Sequence, residues 1–300
     1  MRKSSPTWRN PSERFIRPSA DYVDMMDVPL ASSSDDREVR EGFDRAVSLM
    51  EASPLDPEAI AILRSNMDKG CTASMVRLGV AFADGDEDQK KESVELFRKA
   101  ADLGDSSGVR NLAYCYAIGL NCEKDKAKGA ELYEKAAGMG NAKAMCNIGV
   151  MYDYGNGVDE NPEKAFQWYK RSAEGGYSRG MTNLGELYMW GRGTEKDLDQ
   201  AVVWLERSGT PRAEYRLAEI CFDELKDCEK GMEHLKRAAD RGYSKALYRY
   251  GSMTEAEDRL EAVDMYTQAA RKGNSDAISR LEELGEPVPE PSFKKKRRKS

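Results

Sequence analysis

NAKAMCNIGVMYDYGNGVDENPEKAFQWYKRSAEGG, residues 141–176, holds one full unit of the pattern on which the chain is built. Its first half places Met145, Ile148, Gly149 and Tyr152 at helical spacing, and a Gly-Asn-Gly turn follows at Gly155–Gly157. Proline is tolerated at a first helical position, so Pro162 opens a second helix, with Phe166, Trp168, Tyr169 and Ala173 on its buried side. Gly175 and Gly176 stop that helix. A helix-turn-helix pair of this kind cannot bury both apolar faces alone, so it predicts copies of itself on either side.

The copies follow when the chain is aligned on Gly149. Gly79, Ala113, Gly185, Ala218, Gly251 and Glu282 take the same slot, at steps of 34, 36, 36, 33, 33 and 31 residues. In the second helix, Trp168 and Tyr169 align with Leu96 and Phe97, Leu132 and Tyr133, Trp204 and Leu205, His234 and Leu235, and Met265 and Tyr266. Three positions before each pair stand Ser93, Gly129, Ala165, Ala201, Gly231 and Ala262. Only small side chains let two helix backbones approach closely, so this slot marks the helix crossing.

These residues resemble the Sel1-like repeats, relatives of the tetratricopeptide repeats. The resemblance rests on the Leu-Gly-x-x-Tyr core at Leu184, Gly185 and Tyr188, with a near match at Ile148, Gly149 and Tyr152. It rests also on the Gly-x-Gly turns at Gly155–Gly157 and Gly191–Gly193 and the Lys-Ala-Ala-x-x-Gly endings at 99–104 and 135–140. It implies an all-α fold, an α/α right-handed superhelical solenoid, over residues 71–285. The unit from Pro211 to Gly242 lacks the Gly-x-Gly turn, and the next reads Thr254-Glu255-Ala256-Glu257 in its place, so a change of pitch is expected there.

Composition narrows what such an array can do. With 40% apolar and 33% charged residues the 300-residue chain is expected to be soluble, and no run of 18 apolar residues is present to span a membrane. The first 20 residues lack a secretory apolar core, and their prolines argue against an amphipathic targeting helix. Formal charge is −6 with six cations at 294–299, which leaves −12 on residues 1–293 and disfavours nucleic-acid binding by net field. The six cysteines (71, 115, 122, 146, 221, 228) do not recur at one slot of the repeat. Reduced thiols and a cytoplasmic location are the expectation.

The ends of the chain differ from its middle. Residues 1–34 mix Pro, Ser and Arg and are expected to be disordered, with Ser5-Pro6 and the segment 9–12 as candidate phosphorylation sites. Within them, 21–27 (DYVDMMD) alternates acidic and apolar residues, as either a short docking segment or a strip lying on the repeats would. Residues 35–70 form a capping helix pair: Asp35 with Glu38 reads as a capping box, and Asp56 caps a helix with Pro57 at its first position. Prolines 287, 289 and 291 end the last helix, and 286–300 form a disordered proline-rich and basic tail. Its Lys294–Lys299 run matches a nuclear import signal if the source is eukaryotic, and equally a solvated tail able to touch RNA or acidic lipid.

Residues able to carry chemistry are scarce. Gly104-Asp-Ser-Ser-Gly108 has the spacing of a nucleophile elbow but falls between two repeat helices, and the one histidine, His234, takes the slot of Trp168 and Trp204. The cysteines show no Cys-x-x-Cys spacing and the chain has no phosphate loop, so neither metal, cofactor nor catalysis is expected. The reading is a non-enzymatic scaffold or adaptor; a regulatory subunit of an enzyme in trans, or a nucleic-acid adaptor working through the tail, is the alternative.

The resemblance also implies where a partner sits: on a concave face lined by the first helices, five and two residues before and after the leucine of the Leu-Gly pair. The first slot holds Lys143, Arg179, Arg212 and Lys245, and Arg110, Tyr114, Tyr215 and Tyr248 fall in others. Cations in a helix's first turn oppose its dipole, so four in register call for a reason. A partner protein or peptide rich in carboxylates or phosphates would supply one.

Overall fold

The computed structural model describes residue 29 and residues 34–291. The disorder, phosphorylation, docking-segment and import-signal expectations for 1–28, 30–33 and 292–300 lie outside the described residues. Among those described, fifteen α-helices and one π-helical turn occur, with no strand. They group into two compact units, 1–175 and 176–300.

The first unit opens with α1 (Arg37–Ala52) and α2 (Pro57–Asp68). Asp36, not the expected Asp35, caps α1: its carboxylate accepts from the backbone N–H of Glu38 at 2.8 Å and of Val39 at 3.4 Å. A short carboxylate reaches donors two and three residues ahead, and Asp35 stands one residue too far back. Asp56 caps α2 as expected, with Pro57 in its first turn. Three repeat pairs follow: α3 (Thr72–Phe82) with α4 (Glu87–Asp102), α5 (Ser106–Ile118) with α6 (Lys126–Gly138), and α7 (Ala142–Tyr154) with α8 (Pro162–Glu174). Each helix packs on the next, and α3 also touches α5, so first helices lie beside first helices.

The second unit repeats the plan with α9 (Ser178–Trp190) and α10 (Leu198–Ser208), α11 (Pro211–Ile220) and α12 (Cys228–Asp240), and α13 (Ser244–Thr254) and α14 (Arg259–Arg271). Helix α15 (Ser275–Leu284) closes it, and Gly285 ends that helix at φ +71°. Here α9 touches α11 in the same way. Where the Gly-x-Gly turn is missing, α11 runs into a π turn, Cys221–Leu225, and Lys226 makes the left-handed exit at φ 56°. That exit is a non-glycine solution to the geometry Gly155 and Gly191 provide elsewhere.

The crossing slot is where first and second helices meet. Ser93, Ala165, Ala201 and Ala262 are wholly buried there, and Ser93 Oγ donates to the Gly79 carbonyl at 2.7 Å, α4 onto α3. A Cβ on Gly129 would lie 3.0 Å from the backbone N and Cα of Ala117, tighter than an ordinary van der Waals contact, so the two backbones approach closely there. The large pair next to the slot divides its work. Its second member (Phe97, Tyr133, Tyr169, Leu205, Leu235, Tyr266) is buried in every repeat, worth roughly 1.5–3 kcal/mol for a fully buried large side chain. The first member is half-buried from Leu132 onward, so Trp168 sits at the edge of its helix and not inside. It takes an arginine three residues on: Arg171 lies 4.6 Å over the Trp168 ring, Arg207 4.5 Å over Trp204, and Arg237 Nη2 is 3.1 Å from His234 Nδ1.

The Gly104–Gly108 run is a joint between repeats. Asp105 caps α5, accepting from the N–H of Ser107 at 2.8 Å and of Gly108 at 3.1 Å. Its other oxygen accepts from Thr72 Oγ1 at 2.6 Å, which ties α3 to α5. All six cysteines are free thiols, with Cys228 exposed, Cys122 half-buried and the other four buried. Burial pushes the Cys115 thiol far above its ordinary pKa.

Candidate partner-binding face

The first-helix face of the second unit is organised around one carboxylate. Glu186, on α9, is 4% exposed. Arg212 of α11 chelates it, with Nε donating to Oε1 at 2.7 Å and Nη2 donating to Oε2, while Nη1 donates to Asn183 Oδ1 at 3.2 Å. Arg216, one turn further along α11, adds Nε to Oε1 at 2.8 Å and gives Nη1 to Glu219 Oε2 at 2.6 Å. Arg249 of α13 stands 3.8 Å from Glu219, so acid and base alternate from α9 through α11 to α13. Burial alone would push the Glu186 carboxyl up, but Arg212 and Arg216 outweigh it and hold the group below the usual range. Aromatic rings brace the guanidiniums: Arg216 lies 4.9 Å from the Trp190 ring centroid, and Arg249 5.0 Å from that of Phe222.

This arrangement changes the meaning of the cation row. The first-turn cation Arg212, whose dipole penalty called for an external anion, has an internal one in Glu186. The other second-unit members of the row behave differently: Arg179 is half-buried at the start of α9, and Lys245 is exposed at the start of α13. Tyr215 and Tyr248 are half-buried beside them, with their rings 5.4 Å from Tyr243 and 5.7 Å from Tyr266. In the first unit, Lys143 is half-buried on α7, while Arg110 and Tyr114 on α5 are 1% and 7% exposed and offer no open surface. Arg110 Nη1 donates to Asn111 Oδ1 at 3.2 Å.

Reading slot by slot missed Arg216, Glu219, Arg249 and Trp190. The sequence does hold a signal for three of them: Glu186 to Arg216 and Glu219 to Arg249 are both 30 residues apart, an acid on one first helix and a base on the next. That offset is close to one repeat, so it passes for background charge unless acids and bases are aligned together.

The family model of the Sel1 repeat matches residues 72–105, 106–141, 142–177, 178–209, 211–243 and 244–274. The chain belongs to the Sel1 repeat family. Sel1 repeat proteins mediate protein–protein interactions, and the family is typically non-catalytic. The six matched Sel1 repeats leave α1, α2 and α15 outside them. Among solved structures, the chain is similar to c5321, a protective antigen of uropathogenic Escherichia coli strains displaying this repeat fold, at 28% identity and a TM-score of 0.62. The similarity covers 81% of this chain but only 56% of c5321. It is also similar to a Sel1 repeat protein from Oxalobacter formigenes, at 26% identity and a TM-score of 0.64, over 79% of this chain and 99% of that one. Among curated proteins the comparison finds no match. No helix among the described residues is long and apolar enough to cross a membrane.

Proposed function

We propose that this Sel1 repeat protein is a non-catalytic adaptor that holds a partner protein or acidic peptide on its first-helix face, through Arg179, Tyr215, Lys245 and Tyr248 in the second unit. The observation that carries this reading is the half-exposed state of Tyr215 and Tyr248, in the same slot of neighbouring repeats, with Lys245 exposed one turn before Tyr248. Tyrosine presents a large rigid contact area with a polar tip, and a lysine beside it selects carboxylates or phosphates. Arg212 belongs to the same face but contributes as the clamp on Glu186, so it shapes the surface from beneath. Of the corresponding first-unit residues, Arg110 and Tyr114 are buried and Lys143 is half-buried, so the reading rests on the second unit.

Partner pull-down with quantitative affinity tests the reading. Lys245→Glu together with Tyr248→Ala is expected to weaken capture at least tenfold and to flatten its salt dependence, while helicity is retained. Unchanged affinity in that double variant would move the partner site off this face.

A further inference from the structure

Tyr116 and Tyr152 stand 36 residues apart, in one slot of successive repeats of the first unit, and their surroundings carry opposite charge. Around Tyr116, on α5, Lys128 of α6 places Nζ 4.2 Å over the ring. Lys128 and Arg98 of α4 both hydrogen-bond the phenol and pull it below its ordinary pKa. Around Tyr152, on α7, the hydroxyl donates to Glu134 Oε1 of α6 at 2.6 Å, and that bond pushes the phenol up to about 12. Helix α6 lies between the two, giving Lys128 to one tyrosine and Glu134 to the other.

Each tyrosine opens on a cavity. The first, about 630 Å³, is lined by Tyr116, Glu123, Lys124, Asp125, Lys126 and Lys128. The second, about 350 Å³, is lined by Glu134, Tyr152, Glu163, Lys164, Gln167 and Trp168. Asp125 is spent as the N-cap of α6, accepting from the Lys128 N–H at 2.9 Å. The side chains of Lys124 and Lys126 make no hydrogen bond or ion pair with any described residue, and neither do those of Glu163 and of Asp159 in the turn leading into α8. A step of 36 residues turns Arg98 into Glu134, Lys124 into Glu160 and Ala127 into Glu163, so one repeat geometry carries first a cationic site and then an anionic one. Screening at physiological salt acts over about 8 Å, and packed helices are set about 10 Å apart, so the two sites do not cancel toward a surface in contact with them.

We propose that this edge of the first unit is a two-fold contact between two copies of the chain, the Tyr116 site of each copy facing the Tyr152 site of the other across α6. A surface with a cationic and an anionic site side by side is complementary to itself after a half-turn, which is the condition for an isologous interface, and two-fold dimers are the commonest closed assemblies. Lys124 and Lys126 then meet Asp159 and Glu163, and the symmetry makes every pair twice. Exposed charges need that repetition, because one such pair contributes little against water and salt. Apolar surface lies along the same line, since Leu132 on α6 and Trp168 on α8 are half-buried at the edges of their helices. Leu132 meets its own copy beside the axis. A foreign peptide would need both signs at this spacing, whereas a second copy supplies them by construction. The contact uses no residue of the first-helix face, so it is independent of the partner reading there.

Sedimentation equilibrium of the full chain and of two charge-reversed variants tests this. The first variant, Lys124→Glu with Lys126→Glu, leaves both sites anionic, and the second, Asp159→Lys with Glu163→Lys, leaves both cationic. The unmodified chain is expected to dimerise, and each variant alone to weaken dimerisation at least tenfold while retaining helicity by circular dichroism. The second variant moves the net charge of the acidic chain toward zero, so its loss cannot come from overall repulsion. Mixed in equal amounts, the two variants are expected to form a one-to-one dimer, because the anionic sites of one meet the cationic sites of the other. An unmodified chain that stays monomeric up to its highest soluble concentration would overturn the proposal, as would dimers that persist in either variant or folded variants that fail to pair with each other. In each of those cases the partner reading for Tyr215 and Tyr248 stands.

Discussion

Two residues before the repeat's leucine position, the first unit holds Val76, Arg110 and Cys146, all buried, whereas the second passes from buried Thr182 to half-buried Tyr215 and Tyr248 and exposed Ser279. One backbone slot in one kind of repeat thus ranges from closed to open. Thr182 is closed by its own unit: its Oγ1 lies 2.6 Å from Ser208 Oγ and 2.9 Å from Thr210 Oγ1, while Arg212 and Arg216 lie over Glu186 one turn away. Beyond α11 no such cover is required, because Lys245, Tyr248 and Ser252 take chemistry that water tolerates. Repeat geometry fixes where a side chain points, and what lies above it fixes whether a partner can use it.

The sharpest way to break this comparison is to remove the clamp that closes α9. Glu186→Ala leaves Arg212 and Arg216 without their shared carboxylate, and loss of one partner from a buried ion pair typically costs about 3–5 kcal/mol. Urea unfolding is expected to show a loss of that order, and a cost under 1 kcal/mol would mean the clamp is not a closed network. The same group sets a pH dependence. Its carboxyl is held below the usual range in the folded protein, so its stabilisation is complete above the unfolded value of about 4.3. It is lost as pH falls from there through the folded value, and Glu186→Gln should remove that part of the acid sensitivity.

A smaller effect tests the crossing that both units share. Ala165→Leu forces extra volume into a wholly buried slot on α8 and is expected to cost about 1–3 kcal/mol by overpacking. A neutral melting point would place the helix crossing elsewhere. Smaller still, Lys245→Glu should change stability by less than about 0.5 kcal/mol, since surface substitutions away from packed features rarely exceed that. Thermal melting would separate this residue from Arg212, whose reversal would put a second acid against Glu186. At the bottom of the scale, a reducing agent is expected to leave melting unchanged, and all six thiols should react once the protein is unfolded without one. A destabilisation of a few kcal/mol on reduction would reveal disulfides in place of free thiols.

The repeat was legible in the order of residues. Alternation of apolar and turn residues with a period near 34 specified helix pairs, because each pair has a face it cannot bury alone. The same logic placed the small crossing slot at Ser93, Gly129 and Ala165, and Asp56, Pro57 and Pro162 marked the starts of α2 and α8. These are local properties, set by side-chain size and by hydrogen bonds within a few residues, and a sequence displays them directly. Tertiary structure alone decided which inward residues are available. Arg110 and Lys245 are both cations in inward slots of the repeat, yet one is buried and the other exposed. Arg212 looked like an unpaired cation until Glu186, 26 residues earlier, was placed opposite it. Electrostatic partners are chosen by distance in space, and helix packing brings residues a whole repeat apart within hydrogen-bonding range.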